Sequence, residues 1–123
     1  MKVVLVIEDD PTLRSVIRAA LEHKGFEVKE AGDGRQGEHC VREHPVDVVV
    51  TDILMPDIEG IELIGSLRRS HPDLPVLAIS GGGRIDSSLC LELARQSGAS
   101  ATLAKPFELD DLTAAIRSLL KGG

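Results

Sequence analysis

The sequence predicts an α/β fold: a doubly wound sheet of five parallel strands in the order 2-1-3-4-5, with five helices. Short apolar runs alternate with amphipathic stretches five times along the 123 residues, which is typical of repeated βα units. Right-handed crossovers limit such a chain to a few doubly wound topologies. The second strand is polar, which suits the edge position that this order gives it. No shift in composition marks a second unit, so we expect one domain over residues 1–123.

The five strands are predicted from short runs of mostly apolar residues. The first, Val3–Ile7, is almost continuously apolar, as a strand buried on both faces requires. The second, Phe26–Glu30, alternates apolar and polar residues and is expected at an edge. The remaining strands are predicted over Val46–Thr51, Val76–Ser80 and Ala101–Ala104.

The helices follow from apolar residues spaced three and four positions apart. Helix one is expected to begin at Pro11, behind the N-cap residue Asp10, and to end near Gly25. The other helices are predicted over about 34–43, 59–70 and 109–120, and helix four is predicted to follow the triple glycine at 81–83 and to end at Gly98. The apolar stripe of helix one is expected to contain Leu13, Val16, Ile17, Ala20 and Leu21, and that of helix five Leu109, Leu112, Ile116, Leu119 and Leu120.

Composition argues against several functions. The net charge of -6 is unfavourable for direct binding to nucleic acid, which needs Lys and Arg to neutralise phosphates. The chain has two Phe and no Trp or Tyr, too few aromatic residues for a base or flavin stacking site. Cys40 and Cys90 have no nearby cysteine partner and are expected to be reduced thiols of a cytoplasmic protein. Glu8 and Asp9 interrupt the first apolar run too early for a secretion signal or a membrane span.

Charged and polar residues stand where four of the predicted strands end. They are Glu8 and Asp9 after strand one, Asp52 after strand three, Ser80 at the end of strand four and Lys105 after strand five. In an open α/β sheet the ligand site lies beyond the carboxyl ends of the strands, near the switch in strand order. We therefore expect these five side chains to lie close together.

Three carboxylates in one crevice need a compensating positive charge. Like charges at short range raise pKa values and destabilise the fold. A divalent cation such as Mg²⁺ binds one or two carboxylates together with water and phosphate oxygens. With the ammonium of Lys105 and the hydroxyl of Ser80, the set suits phosphoryl transfer, in which positioning and charge neutralisation dominate. An Asp carboxylate such as that of Asp52 can be the nucleophile and form an aspartyl phosphate.

Each residue alone also has a simpler structural interpretation. Asp10 would be a helix cap, and Glu8 and Asp9 would be solvated carboxylates at a strand end. Lys105 would be a surface lysine beside a turn-forming proline, and Ser80 a loop residue before three glycines. The phosphoryl-transfer interpretation therefore rests on the joint placement of these groups at one edge of one sheet.

Four motifs span nearly the whole chain: "VLVIEDD", "VVVTDILMPDIEGIEL", "PVLAISG" and "GASATLAKPF". In this order and spacing they resemble the receiver domains of two-component response regulators, particularly single-domain, chemotaxis-type receivers with a flavodoxin-like fold. The resemblance implies a cytoplasmic phosphoprotein that catalyses only its own phosphorylation and dephosphorylation. It implies a histidine kinase or a histidine phosphotransfer protein as donor, a downstream target protein or a fused output domain as recipient, and no direct contact with nucleic acid or membrane.

The resemblance also implies a role for each site residue. Asp52 would be the phosphoacceptor. Asp9 and Asp52 would bind Mg²⁺ directly together with the backbone carbonyl of Leu54, while Glu8 would act mainly through water. Ser80 would move to the phosphoryl group, Lys105 would bind one of its oxygens, and the Lys105–Pro106 peptide would be cis.

Some positions depart from the commonest pattern of that family. Thr102 stands where an aromatic residue often reports the phosphorylated state. Leu54 and Gly82 stand at positions that tune dephosphorylation in relatives, and neither side chain can orient a water by a hydrogen bond. We therefore expect slow self-dephosphorylation.

Three other functions agree less well with the same residues. A flavodoxin-like cofactor binder would need a phosphate-cradling loop after strand one, where Glu8 and Asp9 would repel phosphate. A Mg²⁺-dependent phosphatase with an Asp nucleophile usually carries a second acid two residues later, where this chain has Leu54. A phosphate-independent pseudo-receiver would be expected to lack some of the five site residues.

Overall fold

The sheet has the predicted architecture. The computed structural model describes residues 1–53, 60–80, 92 and 95–122. Its five parallel strands lie in the order β2-β1-β3-β4-β5, which confirms the prediction and places the polar strand β2 at an edge. The strands are β1 (Val3–Ile7), β2 (Glu27–Ala31), β3 (Val48–Asp52), β4 (Val76–Ser80) and β5 (Ala101–Ala104).

Helices pack on both faces of this sheet. They are α1 (Pro11–His23), α2 (Gly34–Glu43), α3 (Gly60–Ser70) and the C-terminal helix (Leu109–Gly122). Residues 95–97 are also helical and precede Gly98, whose φ is 117°, so the predicted end of helix four is confirmed. Most of that predicted helix, and the triple glycine before it, lie outside the described residues. In the part of the chain that is described, no helix is long and apolar enough to cross a membrane.

Strand β1 supplies side chains to two separate apolar cores, because alternate residues of a strand point to opposite faces. Leu5 and Ile7 pack on the face that α2 and α3 cover. Val4 and Val6 pack on the face that α1 and the C-terminal helix cover. Coverage of both faces explains why β1 is apolar at every position.

The start of α1 fixes the direction in which the chain leaves β1. Asp10 is the N-cap, as predicted: its Oδ1 accepts hydrogen bonds from Thr12 N at 2.9 Å and from Leu13 N at 3.3 Å. Pro11 occupies the first helical position, where its missing N–H costs nothing. The helix ends before Gly25, whose φ of 98° is the left-handed conformation expected after a helix.

Helix α2 approaches β1 unusually closely at Gly37. A Cβ atom built at Gly37 would lie 2.4 Å from Cδ1 and 3.0 Å from Cγ1 of Ile7. A side chain at position 37 would therefore require the buried Ile7 side chain to shift, and glycine lets α2 lie close to the end of β1 without that shift. Ile7 is the last residue of β1 and directly precedes Glu8.

Two strands differ from the prediction at both of their ends: β2 runs over Glu27–Ala31 and β3 over Val48–Asp52. Phe26 does not begin β2, because its N–H donates to Leu21 O at 3.1 Å and completes the end of α1. Strand β3 begins at Val48, two residues later than predicted, and it includes Asp52. The acid therefore belongs to the strand itself.

Two residues of the predicted apolar stripes are exposed. Val16 is 48% exposed and Leu109 is 39% exposed, so these two positions of the apolar stripes are not covered by the sheet. They line a shallow apolar depression together with Leu13 and Phe107, between α1 and the segment that precedes the C-terminal helix. Lys105 also lines this depression. The helical spacing alone could not show that this side of α1 is left uncovered.

Candidate functional site

The register of the parallel strands aligns their carboxyl ends. Ile7 of β1 is paired with Thr51 of β3, and Ser80 of β4 is paired with Ala104 of β5. The residues that come next along these strands therefore lie close together, just beyond the carboxyl ends of the strands. This is where the sequence predicted a site.

Lys105 joins two acids that come from different strands. Its Nζ lies 2.8 Å from Asp52 Oδ2 and 3.7 Å from Glu8 Oε1. The Lys105–Pro106 peptide is cis, as predicted. Three of the predicted site residues are thus brought together. Ser80 ends β4, but its side chain lies outside the described part of the structure, as does Leu54.

Both acids of this cluster are buried. Glu8 is 5% exposed and Asp52 is 8% exposed, which excludes the interpretation of Glu8 as a solvated carboxylate. Asp9, by contrast, is exposed. Next to Asp52, the fully buried Thr51 donates its hydroxyl to the carbonyl of Asp52 at 3.1 Å. Buried carboxylates are retained only where charge or hydrogen bonds compensate, and Lys105 supplies both here.

Glu8 is held by hydrogen bonds from three directions. Its N–H donates to Ala31 O at 3.0 Å, and its Oε2 accepts from Asp10 N at 3.0 Å. Its carbonyl accepts from Arg14 Nη1 at 2.7 Å. The sequence reasoning did not single out Arg14. A signal was available, because helical side chains point back toward the N-terminus and Arg14 stands one turn inside α1.

Burial and charge perturb the titration of two site residues. Burial raises the pKa of Glu8 to about 7, and a hydrogen bond with Asp9 and the charge of Asp52 act in the same direction. The Asp10 N–H and the charge of Lys105 oppose that shift. For Lys105, burial lowers the pKa, but the hydrogen bond and charge of Asp52 and the charge of Glu8 outweigh burial, so its pKa is raised. Lys105 is therefore a permanent cation at neutral pH.

The carboxylate oxygens of the site are ligands that suit Mg²⁺, although the described acids alone would not complete its coordination shell. Among the described residues, no group of three or more His, Cys, Asp or Glu side chains converges as a metal site. Mg²⁺ commonly takes only one or two carboxylates and completes its shell with water and phosphate oxygens. Glu8 and Asp52 share one ammonium, and the pKa of Glu8 shows that this pocket disfavours a further negative charge. A cation bound here would favour the ionised form of Glu8 against the effect of burial and of the Asp52 charge.

Cys40 does not extend the site. It is half-buried on α2 and has no disulfide partner, as predicted. Burial raises the pKa of its thiol, which keeps it protonated and poorly nucleophilic.

Comparison with known proteins agrees with this geometry. The family model of the response regulator receiver domain matches residues 4–117. The probable transcriptional regulatory protein TcrX of Mycobacterium tuberculosis is 30% identical over 118 residues, 96% of this chain and 49% of TcrX. The transcriptional regulatory protein TcrA of the same organism is 34% identical over 120 residues, 98% of this chain and 46% of TcrA.

A solved structure shows the same fold. The response regulator TrrA of Thermotoga maritima, crystallised in complex with Mg²⁺-BeF, has a TM-score of 0.86 and 28% identity, over 98% of this chain and 100% of TrrA. The chain spans about half the length of the curated relatives it matches. The chain belongs to the response regulator receiver domains, which are the phosphoacceptor domains of two-component signalling and not a family of conventional enzymes.

Proposed function

We propose that Asp52 is the phosphoacceptor of this receiver domain. The observation that carries the proposal is the 2.8 Å contact between Lys105 Nζ and Asp52 Oδ2 at the buried end of the central strand β3. A nucleophilic carboxylate that is fixed by a strand and paired with a cation is oriented before the donor arrives. Asp9 and Glu8 follow the adjacent strand β1, where they would serve the metal.

The reaction is a transfer between two protein side chains. A carboxylate oxygen of Asp52 attacks the phosphorus of a phosphohistidine; the new P–O bond forms as the P–N bond breaks, and the imidazole leaves and takes up a proton. Mg²⁺ held by Asp9, Asp52 and the carbonyl of Leu54, with Glu8 acting through water, would neutralise charge on the phosphoryl oxygens. Lys105 would bind one of those oxygens, which keeps its charge next to the new acyl phosphate. The complex of TrrA with Mg²⁺-BeF supports a metal in this family.

The donor is proposed to be a histidine kinase or a histidine phosphotransfer protein in the cytoplasm. Val16 and Leu109 leave apolar surface exposed next to Lys105, and a depression of that kind suits the side chains of a protein donor. A small phosphodonor needs no such surface. A substitution in this apolar surface should therefore affect phosphorylation by a protein donor but not phosphorylation by a small phosphodonor.

The output is proposed to follow from rearrangement around the new phosphoryl group. Ser80 would move toward that group and Lys105 would remain bound to it, so the loops after β4 and β5 would repack and change a surface that a partner reads. A downstream target protein or a fused output domain would receive the signal. A fused domain is supported by the greater length of TcrX and TcrA, both named as transcriptional regulatory proteins.

The central claim is tested by incubation with Mg²⁺ and acetyl phosphate, followed by intact mass spectrometry. The wild-type chain is expected to gain one phosphoryl group and Asp52→Asn none. Asp73→Asn is the matched control and should react like wild type. Asp73 is an exposed acid that precedes β4, near the amino ends of the strands. Failure of the wild type to react, or reaction of Asp52→Asn, would refute the assignment.

A further inference from the structure

We propose that Arg14 is a positioning residue for the acidic pair: it fixes the peptide between Glu8 and Asp9 so that both carboxylates are held ready for Mg²⁺. This inference rests on the proposed function of the Asp52 site. It adds a residue from α1 to a site that otherwise comes from strand ends.

The peptide that joins Glu8 to Asp9 is held by Arg14. Because a peptide unit is planar, the carbonyl of Glu8 and the N–H of Asp9 turn together. Arg14 Nη1 donates to that carbonyl at 2.7 Å, and the preceding N–H of Glu8 donates to Ala31 O at 3.0 Å. Backbone bonds on both sides of the Glu8 Cα therefore leave the acidic turn, residues Glu8–Asp10 between β1 and α1, little freedom. Without Arg14, the bond from the Glu8 N–H to Ala31 O would remain, but the Glu8 carbonyl would lose its hydrogen bond to the guanidinium.

Arg14 is itself oriented by a second acid. Its Nε donates to Glu30 Oε1 at 3.1 Å, and Glu30 also accepts a hydrogen bond from Arg18. The guanidinium is a rigid planar fork, so an Nε bond to Glu30 sets the direction in which Nη1 points. Hydrogen bonds from Arg18 and Arg14 lower the pKa of Glu30 despite its partial burial, so Glu30 remains ionised.

The surroundings of the guanidinium leave room for this placement. Its side chain is 22% exposed, and a Cβ atom built at Gly32 would lie 3.3 Å from Arg14 Nη1. That distance is tighter than most Cβ contacts, so the glycine lets the guanidinium approach the Glu8 carbonyl without crowding. Arg14 thus links edge strand β2, helix α1 and the acidic turn.

Arg18 offers a matched control on the same helix. It bonds Glu30 as Arg14 does, and its other ion pair is with Glu22, four residues along α1. Arg14→Met and Arg18→Met each remove one surface cation and one bond to Glu30. Only Arg14→Met also removes the bond to the acidic turn. Partners that orient metal ligands typically change metal affinity by roughly 10-fold or more when they are lost.

The first measurement is Mg²⁺ binding to the full chain by calorimetric titration. We expect Arg14→Met to raise the Mg²⁺ Kd roughly 10-fold and Arg18→Met to leave it unchanged. Arg14→Lys, which has one cationic nitrogen for two acceptors, should fall between wild type and Arg14→Met. Glu30→Gln, which keeps Arg14 but weakens its orientation, should also raise the Kd, by less than Arg14→Met. Equal Mg²⁺ Kd values for the Arg14→Met and Arg18→Met proteins would overturn the proposal.

The second measurement needs no metal. The Asp10 N–H donates to Glu8, so its amide hydrogen exchange in EDTA reports the order of the turn. Exchange should be faster in Arg14→Met than in Arg18→Met by more than any difference in their unfolding free energies explains. A change that only follows global stability would assign Arg14 a structural role and refute positioning. Failure of the proposed function is separate: it would appear as a wild-type chain that binds Mg²⁺ but gains no phosphoryl group on Asp52.

Discussion

The buried carboxyl of Glu8 is expected to weaken the metal-free fold at neutral pH. Its pKa is raised from 4.5 to about 7 in the folded protein, mainly by burial. Below pH 4.5 the group is protonated in both the folded and the unfolded states, and it costs nothing. As the pH rises toward 7, the unfolded chain loses this proton first, so the free energy of unfolding falls. Above the folded pKa the loss is complete.

The size of this effect follows from the shift. Each pKa unit corresponds to about 1.4 kcal/mol, so Glu8 should cost the metal-free protein on the order of 3 kcal/mol above pH 7. Glu8→Gln keeps the shape and an acceptor for Asp10 N–H but carries no charge. We therefore expect this variant to be more stable than wild type at neutral and alkaline pH. The difference should shrink as the pH falls through the window between 7 and 4.5.

The assay is urea unfolding in EDTA, followed by circular dichroism at several pH values between about 5 and 8. Glu43→Gln, at the exposed end of α2, is the matched control and should show the pH dependence of wild type. Saturating Mg²⁺ should reduce the advantage of Glu8→Gln, since a bound cation favours the ionised acid. Parallel pH profiles for wild type and Glu8→Gln would refute the reasoning.

Three further predictions concern packing, dephosphorylation and the donor. Gly37→Ala should lower the free energy of unfolding by about 1–3 kcal/mol, because its Cβ would overlap the Ile7 side chain. Gly65→Ala is the control in the same denaturation assay, since a Cβ there would lie at an ordinary van der Waals distance from its neighbour. Leu54→Asn should shorten the lifetime of the phosphorylated protein, measured by intact mass over time, because an amide can orient the attacking water. An unchanged lifetime would show that the side chain at position 54 does not limit dephosphorylation. Val16→Asp should slow phosphorylation by a phosphohistidine protein and leave the acetyl phosphate rate unchanged, whereas equal slowing of both would argue against the apolar depression as the donor surface.

The fold could be predicted largely because its signals are local and repeated. The apolar run of Val3–Ile7 and the cap at Asp10 each reflect a physical rule that acts over a few residues, and both are confirmed. The ends of β2 and β3 were misplaced because they depend on partners. Phe26 was assigned to a strand, yet its N–H is bound by Leu21 at the end of α1.

The site could be predicted only in part. Topology brought Glu8, Asp52 and Lys105 to one edge, and the structure gives them their distances. The sequence could not show that Glu8 is buried while its neighbour Asp9 is exposed, since that depends on how the turn packs. The place of Arg14 in the first turns of α1 indicated that its side chain points back toward β1, but its contact with the Glu8 carbonyl depends on the relative position of α1 and β1.

The contact between Lys105 and Asp52 bears on the fidelity of the signal. Lys105 orients the Asp52 carboxylate, and at the same time its 2.8 Å bond lowers the nucleophilicity of the one oxygen, Oδ2, that accepts it. We expect the metal-free chain to react slowly with the acyl phosphates that circulate as metabolites. Background modification would then be held down by the same lysine that binds the group during the intended transfer. We therefore expect Lys105→Ala to lose both effects, the restraint on untimely phosphorylation and the cation that binds the phosphoryl group.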